Sequence, residues 1–412
     1  MASREYDLIL YGATGYTGTL TAEYITSHLP SDLRWAIAGR TQTKLSALSD
    51  TLRLLRPDRA PPTILTIQHT EEAIDSLVRK TRVLITTVGP FHRYGSLVVE
   101  ACAKAGTHYL DSTGETPWVY EIVHKYHEMA RENGAILITQ CAMDSAPADL
   151  SAYALVRFLR ESCDASTKEV VHSIQEWKNG MSGGTLHSLI GVAGSYPFVH
   201  LKESLRPLAL CVKGVRPKCA PRTFGLSGSY REKEVGLLTD SVIGISDTGL
   251  VYRSWSLIDE GKEYGDEFSY FTGMKAANRM SGFFWHVSLM GSLPLLLVSP
   301  IRKFLTKVIP SPGEGPSKES AAKDRTSWRS VARSDSPNPQ TAVCEMAYPE
   351  DMYSLTAILL SEATMVLLRP DRENWAQKLG GGVLTSATLG DQFVERMKAA
   401  GLKMNLELVK GK

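Results

Sequence analysis

The feature that most limits how this chain can fold is a strand, a glycine turn and a helix start packed into its first 25 residues. Tyr6 to Tyr11 is an apolar run suited to a strand buried on both faces. Gly12, Gly15 and Gly18 follow at three-residue spacing, and Thr19 to Ile25 continues with helical periodicity. Each glycine has a task in such a turn: tight reversal, backbone approach to a pyrophosphate, or close packing of helix on strand. The N–H groups and dipole of the helix start then favour an anion. Gly12, Thr14, Gly15, Tyr16, Thr17 and Gly18 are therefore the expected phosphate-binding residues.

Leu33 to Gly39 reads as a second buried strand, and Arg40 stands at its end, 22 positions beyond Gly18. In a dinucleotide-binding sheet that end lies beside the adenosine ribose, where an acid suits a free 2′-hydroxyl and an Arg suits a 2′-phosphate. No Asp or Glu occurs between Leu33 and Ser49, so the preference is for NADP(H) over NAD(H). The alternative reading of Arg40 is a solvated strand-end cation.

The alternation continues. A helix over Thr43 to Leu55 precedes a short strand over Thr63 to Ile67, and a helix over Glu71 to Lys80 precedes the strand Val83 to Val88. A helix over Tyr94 to Ala105, a strand over Thr107 to Asp111, a helix over Trp118 to Asn133 and a strand over Ala135 to Thr139 follow. Strands and helices of this length in strict alternation imply a parallel sheet with right-handed crossovers. Ligands of such sheets lie beyond the strand carboxyl ends. Val88, Gly89, Pro90 and Phe91 are accordingly expected to line the nicotinamide end, with Asp144 the acid most expected to act there. Asp111, Glu115 and Asp149 reach the same rim; Asp149 could equally be a first-turn helix acid.

From about Lys168 the pattern shifts towards two-residue alternation, with β-like pieces over Val170 to Trp177, Leu237 to Ile245 and Tyr252 to Leu257. The expected division is a dinucleotide-binding domain over 1–150, an α+β substrate domain over 151–350 with a flexible loop at 311–340, and C-terminal helices over 351–412 packing back on the first domain. A last strand is expected over Ala342 to Tyr348. The stretch 283–300 is the most apolar in the chain. It is interrupted by Pro294 and Pro300 and followed by Arg302, Lys303 and Lys307, which argues against a spanning helix and for a buried hairpin or a lipid-contacting surface.

Composition excludes several classes. Forty-six basic against 44 acidic residues leave a net charge of +2, which is no signature of nucleic-acid binding. Six scattered cysteines without Cys-x-x-Cys spacing fit reduced thiols in a cytoplasmic protein and give no zinc site. His124 and His127, three apart, have no evident third ligand, so no metal is expected.

Gly12 to Gly18, Ala38-Gly39-Arg40, Val88-Gly89-Pro90-Phe91, Gly106 to Asp111, Gly114-Glu115 and Asp144 to Asp149 occur in the order seen in saccharopine dehydrogenase-like oxidoreductases. Ser182 to Thr185, Pro312 to Pro316 and Gly382 to Thr385 extend the similarity to the branch that contains trans-acting enoyl reductases. The sequence departs from the usual Gly-Phe-Asp at Ala142-Met143-Asp144. The resemblance implies a Rossmann-type doubly wound parallel sheet with a second mixed α+β domain, and NADPH-dependent reduction. In that branch the substrate is an α,β-unsaturated acyl thioester on the acyl carrier of a polyketide synthase. Other branches act on saccharopine or associate with lipid droplets, and a non-catalytic NADP-binding partner of a synthase is the alternative of a different class. His92, Tyr94 and Tyr109 are the titratable groups expected near the nicotinamide end, and no residue is singled out as proton donor.

Overall fold

The computed structural model describes residues 4–178, 180, 182–309 and 324–409. In its first half β1 (Tyr6–Tyr11), α1 (Tyr16–His28), β2 (Trp35–Gly39), α2 (Gln42–Leu55), β3 (Thr63–Thr66), α3 (Glu71–Arg79), β4 (Thr81–Thr86), α4 (Phe91–Ala105), β5 (His108–Asp111), α5 (Thr116–Glu132) and β6 (Ile136–Ile138) alternate. The strands pair in parallel, and Leu8, Ile9 and Leu10 at the centre are wholly buried, as an apolar run covered on both faces must be.

The second half comprises α6 (Ala146–Cys163), β7 (Thr167–Lys178), α7 (Gly183–Val192), α8 (Phe198–Ser204), β8 (Tyr230–Glu232), β9 (Gly236–Thr239), α9 (Gly244–Leu257), β10 (Ser269–Lys275), α10 (Arg279–Leu295), α11 (Ser299–Val308), β11 (Arg325–Ser334) and β12 (Thr341–Tyr348). The chain closes with α12 (Met352–Leu368), α13 (Trp375–Lys378), β13 (Gly382–Leu384), α14 (Gly390–Ala399) and β14 (Lys403–Leu408). One sheet runs β13-β6-β5-β4-β1-β2-β3 and is parallel throughout; the other runs β14-β12-β11-β7-β10-β9-β8 and is mixed.

The last part of the chain serves both sheets. Strand β13 pairs beside β6, while β14 pairs beside β12. Helix α12, apolar on nearly every side, packs along α1 and against β4 and β5. Its single acid, Glu362, accepts from Tyr24 Oη at 2.8 Å and from Arg396 Nε at 2.6 Å, so the buried carboxylate is satisfied from both sides.

Five expectations are corrected. Tyr252 to Leu257 is the end of α9, not a strand; α9 is buried from Ser246 onward apart from Thr248, so it lacks the polar stripe that betrays a helix. Leu237 to Ile245 holds only the end of β9 before a turn and the start of α9. Within the supposed loop 311–340, Arg325–Ser334 is a central strand of the second sheet, and residues 311–323 lie outside the described residues. Its polar look comes from ion-paired cations: Arg329 meets Glu345, and Arg333 meets Glu169, Glu232 and Glu234. Finally, β12 is not the last strand, and 283–300 is an exposed bent helix pair, not a buried hairpin.

Arg253 on α9 ties these layers together. Its wholly buried guanidinium donates to the carbonyls of Val383 on β13 and Leu210, and to His127 Nδ1 on α5 at 3.1 Å. Burial and Arg253 together push the His127 imidazole down to about 4, so it stays neutral and accepts. Replacing Arg253 with Met keeps the volume but leaves buried carbonyls without donors. Denaturant unfolding is expected to show a loss of about 3 kcal/mol; an unchanged midpoint would show that Arg253 does not hold the layers.

Candidate functional site

The parallel sheet reverses its build order at β1, with β2 on one side and β4 on the other. The carboxyl ends of those strands make the crevice where ligands of such sheets sit. The glycine turn lies there. Gly12 has a φ of +89°, and a Cβ on it would lie 2.8 Å from Val88 Cγ2 and 2.9 Å from Thr87 Oγ1. A Cβ on Gly18 would strike the Gly12 carbonyl oxygen and come within 2.9 Å of Ala13 Cα. The turn is fastened by Gly12 N–H to Ala38 O at 2.9 Å, Gly15 N–H to Gly12 O at 3.0 Å and Thr87 Oγ1 to Gly12 O at 3.1 Å. Gly15 is the N-cap of α1 and supplies no side-chain cap, and Thr14 is exposed at the tip. A backbone cradle without side chains, at the uncapped start of a 13-residue helix, fits the pyrophosphate of a dinucleotide.

Arg40 is exposed at the end of β2 and makes no ion pair among the described residues. Beside it stand three aromatic rings. Tyr11 Oη and His69 Nδ1 are 3.0 Å apart, and His69 meets Tyr94 edge-on with ring centroids 5.4 Å apart. Burial, then the Arg40 charge, lowers the His69 imidazole below its usual range, keeping it neutral. Tyr94 thus bridges the two ends of the rim, its ring on His69 and its backbone N–H on Pro90 O at 3.1 Å. His69 was missed from sequence, although its place just past a strand carboxyl end was the available signal.

At the other end, β4 leads into Val88 and the cis Gly89–Pro90 bond. Glu115 is buried and caps α4: its carboxylate accepts from the N–H groups of Phe91 at 2.9 Å and His92 at 2.8 Å. The same carboxylate holds His92 Nδ1 at 2.6 Å, and the His92 ring is packed under Gly191 of α7. Tyr109 Oη donates to Asp111 at 2.7 Å in the core, and Asp111 also accepts from the backbone of Thr113 and Gln140. Asp149 accepts from Ser254 and from Ala387 N–H. Glu115, Asp111, Asp149 and Tyr109 thus hold the fold, whereas His92 Nε2 is buried without a partner among the described residues.

Asp144 is different. It is only half-buried, a Cβ on Gly114 would lie 2.7 Å from its Oδ2, and its Oδ1 has no partner among the described residues. Burial pushes its carboxyl up to about 7. The next residue, Ser145, sits 3.0 Å from Ser246 of α9 through their hydroxyls, and Gln140 Nε2 donates to Ser246 at 2.6 Å. Asp247 beside it is raised well above the carboxylate range by burial and by the neighbouring Asp144 charge. Gln140 Oε1, Asp247 Oδ1 and Tyr270 Oη are also buried without partners among the described residues. This polar group joins the first sheet's rim to the second sheet; Asp144 was expected there, whereas Gln140, at a φ of +61°, and Ser246 are brought to it by packing between the two halves.

A family model described as the saccharopine dehydrogenase NADP binding domain matches residues 8–138. The trans-acting enoyl reductase of Mycobacterium bovis is 31% identical over 422 residues, covering 98% of each chain. The chain belongs to this saccharopine dehydrogenase-like family. The trans-acting enoyl reductase of Mycobacterium ulcerans is 29% identical over 416 residues and 97% of each chain. Among solved structures, the apo saccharopine dehydrogenase (L-Glu forming) of Saccharomyces cerevisiae shares 12% identity at a TM-score of 0.48, over 98% of this chain and 100% of that one. The family's first domain is an NADP-binding domain, in keeping with the cradle and with Arg40. No group of His, Cys, Asp and Glu among the described residues is arranged to hold a metal.

If Arg40 holds a 2′-phosphate, its loss removes a charge-assisted contact of about 1.5–3 kcal/mol. Arg40→Ala is then expected to weaken NADPH binding by about tenfold to a hundredfold while leaving NADH within about twofold. Fluorescence titration of both coenzymes measures this, and equal weakening of the two would remove the assignment.

Proposed function

We propose that the protein is an NADPH-dependent enoyl reductase acting on an α,β-unsaturated acyl thioester. The single observation that carries the reading is full-length similarity to trans-acting enoyl reductases, joined to a glycine cradle that fits a dinucleotide. In this reading Gly12, Thr14, Gly15, Tyr16, Thr17 and Gly18 hold the pyrophosphate, Arg40 the 2′-phosphate, and Val88, Gly89, Pro90 and Phe91 flank the nicotinamide ribose. NADPH, when bound, supplies the hydride for the β-carbon. The protein's part is to align the thioester, exclude water and deliver a proton to the α-carbon.

For that proton the reading favours Asp144. Asp111, Asp144 and Asp149 are all raised to about 7 by burial, and of these Asp144 is the one with an oxygen that has no partner among the described residues. The neighbouring Ser246 and Gln140 are donors suited to a developing enolate oxygen. The substrate class extends to acyl chains carried by a synthase's acyl carrier, and the apolar surface of 283–300 supports contact with lipid.

Purified protein with NADPH and crotonyl thioester is expected to lose absorbance at the nicotinamide band. The rate should fall as pH rises through about 7, where Asp144 releases its proton. Asp144→Asn is expected to lower kcat by about a hundredfold or more with NADPH binding unchanged. Turnover that is absent despite tight NADPH binding would favour a docking role; an Asp144→Asn enzyme with the parent's pH profile would remove Asp144 as the acid.

A further inference from the structure

The helix pair α10–α11 is the part of the described surface that a water-soluble protein has least reason to display. Phe283, Phe284, Leu295, Val298, Phe304 and Val308 are all exposed, Phe304 by 65%. Only Gly282 of α10 is buried, and apart from Arg279, His286, which pairs with Asp240, and three serines the helix is made of apolar residues and glycine. A helix so apolar and so little buried is unusual on a water-facing surface, and clustered exposed apolar side chains mark an interaction surface.

Three observations choose the occupant. Residues 279–309 contain Arg279, Arg302, Lys303 and Lys307 and no carboxylate at all. The two helices meet at 108°, so neither continues the other as a straight span, and no single described helix is long and apolar enough to cross a membrane. Helix α11 is amphipathic, with Lys303 and Lys307 exposed beside Phe304 and Val308, an arrangement in which long cationic side chains reach headgroups while apolar neighbours enter the acyl boundary. A protein partner's buried core would be poor in lysine, and a second copy of this face would set like charges against one another.

The hairpin is fixed to the body at its base. Asn278 caps α10 through Ser281 N–H at 2.9 Å, Thr239 Oγ1 donates to Gly282 O at 3.0 Å, and Trp285 Nε1 donates to Asp240 O at 2.9 Å. It is also tied to the candidate site through one short helix. A Cβ on Gly194, just past α7, would lie 2.6 Å from Arg302 Nε of α11, while Gly191 of α7 covers the His92 ring. Gly89, at the nicotinamide end, faces Ser188 of the same helix.

We propose that α10 and α11 form an interfacial hairpin that docks on an anionic lipid surface and holds the crevice, through α7, against that surface. Docking stands on exposure and charge; delivery of a lipid-phase acyl chain to the crevice rests on the reductase reading.

The test is sedimentation of the full chain with vesicles of phosphatidylcholine alone or mixed with phosphatidylglycerol. The parent protein is expected to sediment with the mixed vesicles and less so in high salt. Phe283→Asp with Phe284→Asp should lower the bound fraction at least tenfold, as two buried rings are lost. Lys303→Glu with Lys307→Glu should remove the preference for phosphatidylglycerol, about fivefold per charge. Unchanged calorimetric NADPH binding by these variants shows that they are folded. A parent protein that stays in solution with both vesicle types overturns the proposal. So does a parent dimer that the Asp variants dissociate, since the face would then be a self-association surface. Sedimentation without enoyl reduction would instead count against the reductase reading and leave docking standing.

Discussion

The contact between the Gly12 carbonyl and the α carbon of Gly18 sets the geometry on which the rest depends. Two stretches of backbone meet there with no room for a single methyl group, and Thr87 from the neighbouring strand closes the third side. That contact brings the first turn of α1 over the end of β1. It also leaves main-chain N–H groups facing the crevice at the point where the sheet changes direction. A side chain at Gly12 would be strained as well as crowded, since its φ of +89° is a left-handed conformation. The anion-binding capacity of the crevice is therefore a property of packing, and needs no cationic side chain at the turn itself.

Around this turn the chain divides its acids by environment. Glu115, Asp111 and Asp149 are buried, and each is satisfied by backbone or hydroxyl donors, which fixes helix starts and loops at the rim. Asp144 shares their position but not their partners. Burial raises all three of Asp111, Asp144 and Asp149 to about 7, so what sets Asp144 apart is its unpartnered oxygen. The neighbouring α9 belongs to the second half of the chain and contributes Ser246 and Asp247 to the same spot, so the polar cluster exists only when both sheets are assembled.

The first sheet was legible apart from β13 because its central strands are apolar runs and strands alternate with helices; boundaries differ mainly at helix starts, where Phe91 and Thr116 begin earlier than periodicity suggested. The second half was harder for physical reasons. Helix α9 is buried on nearly all sides and so lost its helical period, while β11 exposes paired cations and so looked like a loop. The glycine turn and the strand-end place of Arg40 were readable from the strand–turn–helix pattern. His69, Gln140 and Ser246 were not, because tertiary packing alone brings them to the rim.

Calorimetric titration of the full chain with NADPH tests most directly whether this crevice holds a phosphorylated dinucleotide. Saturable heat at one coenzyme per chain is expected, largely lost when Gly12 is replaced by Val. No heat with either NADPH or NADH, from a protein that unfolds cooperatively, would contradict it.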